Sequence, residues 1–142
     1  MFYCNARIYG ADFKFHMGAF EVKDDVFGQV LPETVPADAV DLRGATVIPG
    51  LIDIHSHGNS GADFSDGDYE GLKKMAAFYA SCGVTSFAPA SMTLPYDVLE
   101  KAFATAVRLK NEQPEGCAVL RGIQMEGPYF SYKKRGAQNP DY

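Results

Sequence analysis

Two histidines, His55 and His57, stand two residues apart in the apolar run Gly50-Leu-Ile-Asp-Ile-His-Ser-His57, which Pro49 and Gly58 bracket. On a strand, the alternation of side chains places both on one face, roughly parallel. Imidazoles so arranged can share one metal ion or hold one each of a close pair. A third ligand must come from elsewhere, and the chain offers Glu126, within Met125-Glu-Gly-Pro128. Either motif alone is weak, because His-x-His occurs by chance and Gly-Pro after a strand is common turn chemistry. Placed on the first and third strands of one β/α series, the two motifs together point to a metal site.

The elements that must position these residues follow from periodicity. Residues 3–8 and 13–22 read as β segments, and the polar, proline-containing stretch 24–38 reads as hairpins or loops. Val40-Asp-Leu42 is a further short strand before the Arg43-Gly44 turn, and Thr46-Val-Ile48 is extended. From residue 50 the pattern becomes strand, helix, strand, helix, strand. The first helix begins in Ser65-Asp-Gly-Asp68, whose Ser and Asp residues are good caps. It carries Leu72, Met75, Ala76, Tyr79 and Cys82 on one stripe and stops at Gly83. Val84-Thr-Ser-Phe-Ala-Pro-Ala90 is a second buried strand. Thr93 and Pro95 start the second helix, with Val98, Leu99, Ala102, Phe103, Ala106 and Val107 on one side, and Pro114 follows its end. Residues 117–126 form the third strand, before a polar, basic tail.

Strand starts near residues 51, 84 and 118 repeat about every 33–34 residues, one right-handed βαβ step that builds a parallel sheet. Ligand sites of such folds lie at the carboxyl ends of the strands, so His55, His57 and Glu126 should meet at one rim. Asp53 shares the histidine face, while Ile52 and Ile54 are expected to point toward covering helices. The other polar residues have plainer explanations: His16 is expected at the surface or packed, and helix capping accounts for at least one of Asp63, Asp66 and Asp68. Tyr69, Phe78, Tyr79 and Phe87 are expected in the core. Lys133-Lys-Arg135 is either a solvated loop or a phosphate contact.

Composition narrows the function classes. Apolar content of 46% over 142 residues suits one domain with a real core. A net charge of -5 argues against a nucleic-acid partner, which requires a basic face. No apolar run reaches the roughly 18 residues of a membrane span, and no signal peptide opens the chain. The three scattered cysteines, Cys4, Cys82 and Cys117, favour reduced thiols and a cytoplasmic setting.

Pro49-Gly-Leu-Ile-Asp-Ile-His-Ser-His-Gly58, Gly61-Ala-Asp-Phe64, Gly83-Val-Thr-Ser86, Glu126-Gly-Pro-Tyr-Phe130 and Lys133-Lys-Arg-Gly-Ala-Gln-Asn-Pro140 together resemble the N-acetylglucosamine-6-phosphate deacetylases of the amidohydrolase superfamily. The first motif is shared by many members, including dihydroorotases; the last two are far more specific. The resemblance implies an α/β fold: a partial (β/α)8 barrel over residues 49–142 (its first three strands and two helices), preceded over residues 1–48 by part of a small β-sandwich. It implies hydrolysis of a phosphorylated amino sugar to glucosamine 6-phosphate and acetate, by a divalent metal, zinc first and iron or another ion next. His55, His57 and Glu126 match metal ligands, while Ala137, with Gln138 beside it, matches a substrate contact. The full-length enzyme would be a homo-oligomer.

The family's later histidines and its catalytic aspartate have no counterpart after His57, so no catalytic residue is assigned. A barrel needs about 250 residues, and the chain is expected to be an inactive amino-terminal part. Two alternatives are a self-associating, non-catalytic metal-binding remnant and a dihydroorotase-like amidohydrolase. Glu126 argues against the latter, because many of its members use a carboxylated lysine there.

Overall fold

A computed structural model describes residues 1–142 as a mixed α/β chain of two compact units, Met1–Pro49 and Gly50–Tyr142. The first unit is a sheet of β1 (Phe2–Tyr9), β2 (Phe15–Lys23), β3 (Val26–Val30), β4 (Val40–Asp41) and β5 (Thr46–Val47). β2 lies antiparallel between β1 and β3, while β4 and β5 run parallel to β1, one after the other along its far edge. β3 falls where sequence suggested hairpins or loops. Val26, Phe27 and Val30 supply its β-favouring residues, and the turn before it places Asp24 and Asp25 at positive φ, as a tight hairpin demands. Ala6, Ile8 and Phe20 form the small core here, flanked by Tyr3, Val22, Leu42 and Val47.

The second unit holds the candidate chemistry. Its parallel sheet contains β6 (Leu51–Asp53), β9 (Val84–Phe87) and β10 (Val119–Leu120), with β9 in the centre. Between β6 and the first helix lies a small hairpin, β7 (Gly58–Asn59) and β8 (Ala62–Asp63), which sequence reading did not anticipate. Its two-residue turn puts both Ser60 and Gly61 at positive φ, the conformation that lets a tight hairpin follow the strand twist.

α1 (Tyr69–Ser81) begins where the Asp68 carboxylate accepts the Glu70 and Gly71 amides, and it ends as Gly83 turns left-handed. Asp63 and Asp66 close a capping box one turn earlier, so all three acidic residues of this stretch serve as caps. α2 (Tyr96–Glu112) starts at Pro95 and has no side-chain cap. Thr93, expected to begin this helix, instead turns a buried hydroxyl toward Gly127.

The core lies where the two helices cover β9 and β10: Leu72, Met75, Ala76 and Tyr79 meet Ala102, Ala106 and Leu109 over Phe87, Ala118 and Leu120. Tyr79 and Phe87 are buried as expected, and Tyr69 is partly so. Phe78 is 48% exposed, because it lies off the stripe that Leu72, Met75 and Tyr79 define. Cys82 is exposed just past the last residue of α1, and Val107 is exposed off the packed face of α2. Ile52 and Ile54 are 69% and 66% exposed, contrary to expectation. Both helices lie over the β9–β10 side, and β6 is an edge strand whose Leu51 and Ile52 are exposed. No helix is long and apolar enough to cross a membrane.

Two exposed contacts tie the beginning of α1 to the end of α2. The Tyr69 hydroxyl donates to the Glu112 carboxylate, and Arg108 donates to the same carboxylate at 2.8 Å while lying 3.6 Å over the Tyr69 ring. Hydrogen bonds from Tyr69 and Arg108 hold the Glu112 carboxyl below its usual value. Its stabilising contribution is therefore present above the ordinary glutamate range and is lost as pH falls through the lowered folded value. Acid unfolding followed by circular dichroism should become less steep in that range in Glu112→Gln. At the other end of α1, Asp68→Ala should cost about 1 kcal/mol in urea unfolding, and Asp68→Asn much less.

Candidate metal centre

β6 stops at Asp53, short of the histidines it was expected to carry. The Asp53 carboxylate accepts the His55 amide at 3.1 Å, drawing that amide away from the neighbouring strand. Pairing nevertheless continues past this point: Ala88 N–H donates to Asp53 O at 2.8 Å and Ala90 N–H to Ser56 O at 2.9 Å. Three residue steps on the histidine segment thus oppose two on its partner, the arithmetic of a β-bulge, which re-aims side chains at a sheet rim. His55 and His57 are consequently not parallel. Their rings meet edge to face, 5.4 Å apart at 84°.

Glu126 arrives from the other side. β10 is only two residues long, but its line is continued by a parallel bridge between Ala90 and Gln124. Ser91 N–H donates to Gln124 O and Gln124 N–H to Pro89 O, each at 3.0 Å. Two residues later, the Glu126 Oε2 lies 3.0 Å from His55 Nε2 and 3.3 Å from His57 Nε2. The ligand atoms of the three side chains all lie within 4.8 Å of one another. The rim expected from sequence therefore brings these three residues together.

The protonation pattern can be read from the partners. Ala90 O lies 3.1 Å from His57 Nδ1, and a carbonyl can only accept, so Nδ1 carries a proton and Nε2 is the ring nitrogen left to face Glu126. Gln138 Nε2 donates to Glu126 Oε1 at 3.1 Å. Glu126 Oε2 is buried and has no hydrogen-bond partner, although two imidazole nitrogens face it. Such an arrangement calls for a proton or a metal ion between the nitrogens and the oxygen. The donor spacings suit the ion: four-coordinate zinc with ligands at about 2.0–2.1 Å separates neighbouring donors by roughly 3.3 Å. The three residues form a His/His/Glu group suited to a divalent metal.

The remaining candidates lie elsewhere. His16 pairs with Asp12 at 3.0 Å in the first unit, and its hydrogen bond holds the Asp12 carboxyl below the usual range. Ala137 is exposed on the loop after Glu126. Lys133 and Lys134 are exposed, while Arg135 folds back on its own turn, donating to Tyr132 O at 2.8 Å and lying 4.0 Å over the Tyr132 ring. Sequence reading missed the supports, Ala90 O and the tie between Gln138 and Glu126. A backbone carbonyl leaves no mark in sequence, and nothing about Gln138 announced a partner 12 residues away.

No family model matches the chain. A deacetylase of N-acetylglucosamine 6-phosphate from Vibrio furnissii is 38% identical over 101 residues, covering 71% of this chain and 25% of that protein. The crystal structure of N-acetylglucosamine-6-phosphate deacetylase from Pasteurella multocida matches all of this chain with a TM-score of 0.84 at 31% identity, over 38% of that chain. This chain belongs with the amino-sugar-6-phosphate deacetylases, and most of the relatives it matches are N-acetylglucosamine-6-phosphate deacetylases. The resemblance carried by the motifs at residues 49–58 and 126–140 is thus borne out by proteins matched over far more of the chain than the motifs. An N-acetylgalactosamine-6-phosphate deacetylase from Escherichia coli O157:H7 is 30% identical over 120 residues, covering 84% of this chain and 31% of that protein. The chain spans about a quarter of the length of the curated deacetylases it matches.

Gly127 sets the approach of Glu126. Its φ is +79°, and a Cβ there would run into Thr93 Oγ1. Gly127→Ala should destabilise the chain by at least about 1–2 kcal/mol in urea unfolding. Thr93→Ala removes a buried hydroxyl that has no partner and should cost little by itself. The double variant should recover part of the Gly127→Ala loss, and strict additivity would count against this contact.

Proposed function

We propose that this chain supplies the metal-binding segment of an amide hydrolase that converts N-acetylglucosamine 6-phosphate to glucosamine 6-phosphate and acetate. The observation carrying this reading is the buried, unpartnered Glu126 Oε2 facing His55 and His57 Nε2 at 3.0 and 3.3 Å, in a chain whose relatives are deacetylases. His55, His57 and Glu126 would hold a divalent ion, with zinc the first choice for a nitrogen and carboxylate donor set and iron the next. When bound, such an ion polarises an amide carbonyl and makes a water more acidic. This chain's own part is to present the donors: Ala90 fixes the His57 tautomer, and the bulge aims His55 across the rim. No residue of the chain is assigned as general acid or base.

Ala137 and Gln138, on the loop after Glu126, are the residues proposed to meet the sugar. Parallel β6, β9 and β10 with α1 and α2 are proposed as the opening of a (β/α)8 barrel, with residues 1–48 as part of a small β-sandwich. The working protein would be cytoplasmic and homo-oligomeric. A phosphorylated galactosamine is the nearest competing substrate, because one relative acts on N-acetylgalactosamine 6-phosphate.

One observation favours a second reading, a self-associating metal-binding module: β6 has an unpaired edge, where Leu51, Ile52 and Ile54 are exposed. Light scattering tests this second reading, since a monodisperse monomer is incompatible with self-association.

The enzyme reading is tested by a chimera in which this chain replaces its counterpart in the Vibrio furnissii deacetylase. The chimera should release acetate from N-acetylglucosamine 6-phosphate when zinc is supplied. His55→Ala, His57→Ala and Glu126→Gln should each abolish turnover. They should also weaken zinc binding beyond the about 10–100-fold that loss of a supporting hydrogen bond costs. A folded chimera that binds no zinc, or that works equally well with Glu126→Gln, sinks the assignment.

A further inference from the structure

From the hydrogen bonds around Glu126 we infer that Gln138 is a positioning residue that makes Glu126 a single-oxygen metal ligand. The inference rests on the reading of His55, His57 and Glu126 as the metal site. It starts from Thr93, whose backbone N–H donates to Gln138 Oε1 at 3.0 Å. A backbone N–H can only donate, so the orientation of the Gln138 amide is determined: its oxygen faces Thr93 and its NH2 faces Glu126. That NH2 donates to Glu126 Oε1 at 3.1 Å. The acceptor is a carboxylate, which makes this a charge-assisted hydrogen bond, stronger than one between neutral groups.

The result is a division of labour between the two oxygens of one carboxylate. Oε1 is committed to Gln138, while Oε2 is left buried, without a hydrogen bond, between the two histidine nitrogens. Without the Gln138 donor, the carboxylate is free to rotate and to offer either oxygen, or both, to a cation. The neighbouring His57 is treated in the same way, since Ala90 O occupies its Nδ1 and leaves Nε2 for the metal. Both supports issue from one backbone stretch, since Ala90 and Thr93 are three residues apart. Gln138 thus acts on the ion through Glu126, and the loop carrying Ala137 is tied to the metal site by the same side chain.

Substitution separates this role from a purely structural one. Gln138→Glu keeps the length and volume of the side chain and still offers an oxygen to the Thr93 amide. It replaces the donor facing Glu126 by an acceptor. If Gln138 merely anchored its loop to Thr93, the Glu variant should bind a cation no more weakly, since its added negative charge by itself favours one; if Gln138 orients Glu126, the variant should bind more weakly.

The measurement is zinc affinity of the 142-residue chain by competition with a chromophoric chelator, with the visible spectrum of the cobalt-substituted protein as a second readout. Gln138→Glu and Gln138→Ala should bind zinc about 10–100-fold more weakly, with cobalt bands weakened and shifted by the altered coordination. Melting of the metal-free proteins controls for folding. If the Ala variant does not fold, the isosteric Glu variant decides the question alone. Zinc binding within about twofold of the unaltered chain, with a superimposable cobalt spectrum, overturns the role of Gln138 while leaving the site intact. If the unaltered chain binds zinc no better than Glu126→Gln, the metal site itself falls, and this inference with it.

Discussion

The backbone of residues 88–93 is the constraint on which the site depends. It continues the central strand β9 beyond its last regular pair and offers hydrogen bonds to both neighbours at once. On one side its amides reach Asp53 and Ser56, and on the other Pro89 and Ser91 exchange bonds with Gln124. The same stretch accepts the His57 ring proton at Ala90 and donates to Gln138 from Thr93. The histidines and the glutamate come from segments about 70 residues apart in sequence, and a shared middle strand brings both to one point. A parallel sheet makes this economical, because all its strands end at the same rim.

The central strand also explains the asymmetry of burial. α1 and α2 follow β6 and β9 and fold back over the β9–β10 side, where Phe87, Ala118 and Leu120 receive them. β6 gains a partner on one edge only, and its apolar residues Leu51 and Ile52 remain in solvent. An exposed apolar edge is a template for further pairing. Here it is also the strand that leads into the histidines, so whatever pairs with β6 acts directly on the site.

Much of this was legible from residue types, because the relevant signals are local. Stripes of Leu72, Met75, Ala76 and Tyr79 and of Leu99, Ala102 and Ala106 define two helices, and Asp68 and Gly83 punctuate the first. His55, His57 and Glu126 were legible as a set because strand ends in a β/α series share one rim. What escaped was set by non-local contacts. Strand lengths were overestimated because no turn signal marks the ends of β6 and β10 before Gly58 and Gly122, while the Asp53 side chain and the bulge end regular pairing of β6 early. Ile52 and Ile54 look like core residues at any sequence position, and only the missing cover makes them surface. The hairpin of β2 and β3 falls within the stretch read as hairpins or loops, whereas hairpin β7–β8 was hidden by its brevity.

The placement of unpaired polar atoms shows how stability and chemistry are divided in the second unit. Ser91 and Thr93 hydroxyls and Glu126 Oε2 are buried without hydrogen bonds beside the site, and the Asn59 amide and the Ser65 and Tyr79 hydroxyls are buried and unpaired elsewhere in the unit. Each such atom carries a desolvation penalty of about 1–3 kcal/mol, more for a charged group. A sequence selected for stability alone would place Ala and Val at these positions. Tyr79 bears such a penalty within the apolar cluster under α1 and α2, whose burial offsets it, while Ser91, Thr93 and Glu126 bear theirs at the rim, at the opposite end of β9 from the turn where α1 ends. Glu126 Oε2 differs from the Ser91 and Thr93 hydroxyls in one respect: it alone faces two imidazole nitrogens, and the one on His57 is oriented by the bond of its Nδ1 to Ala90 O. Its penalty is the one that a bound cation removes.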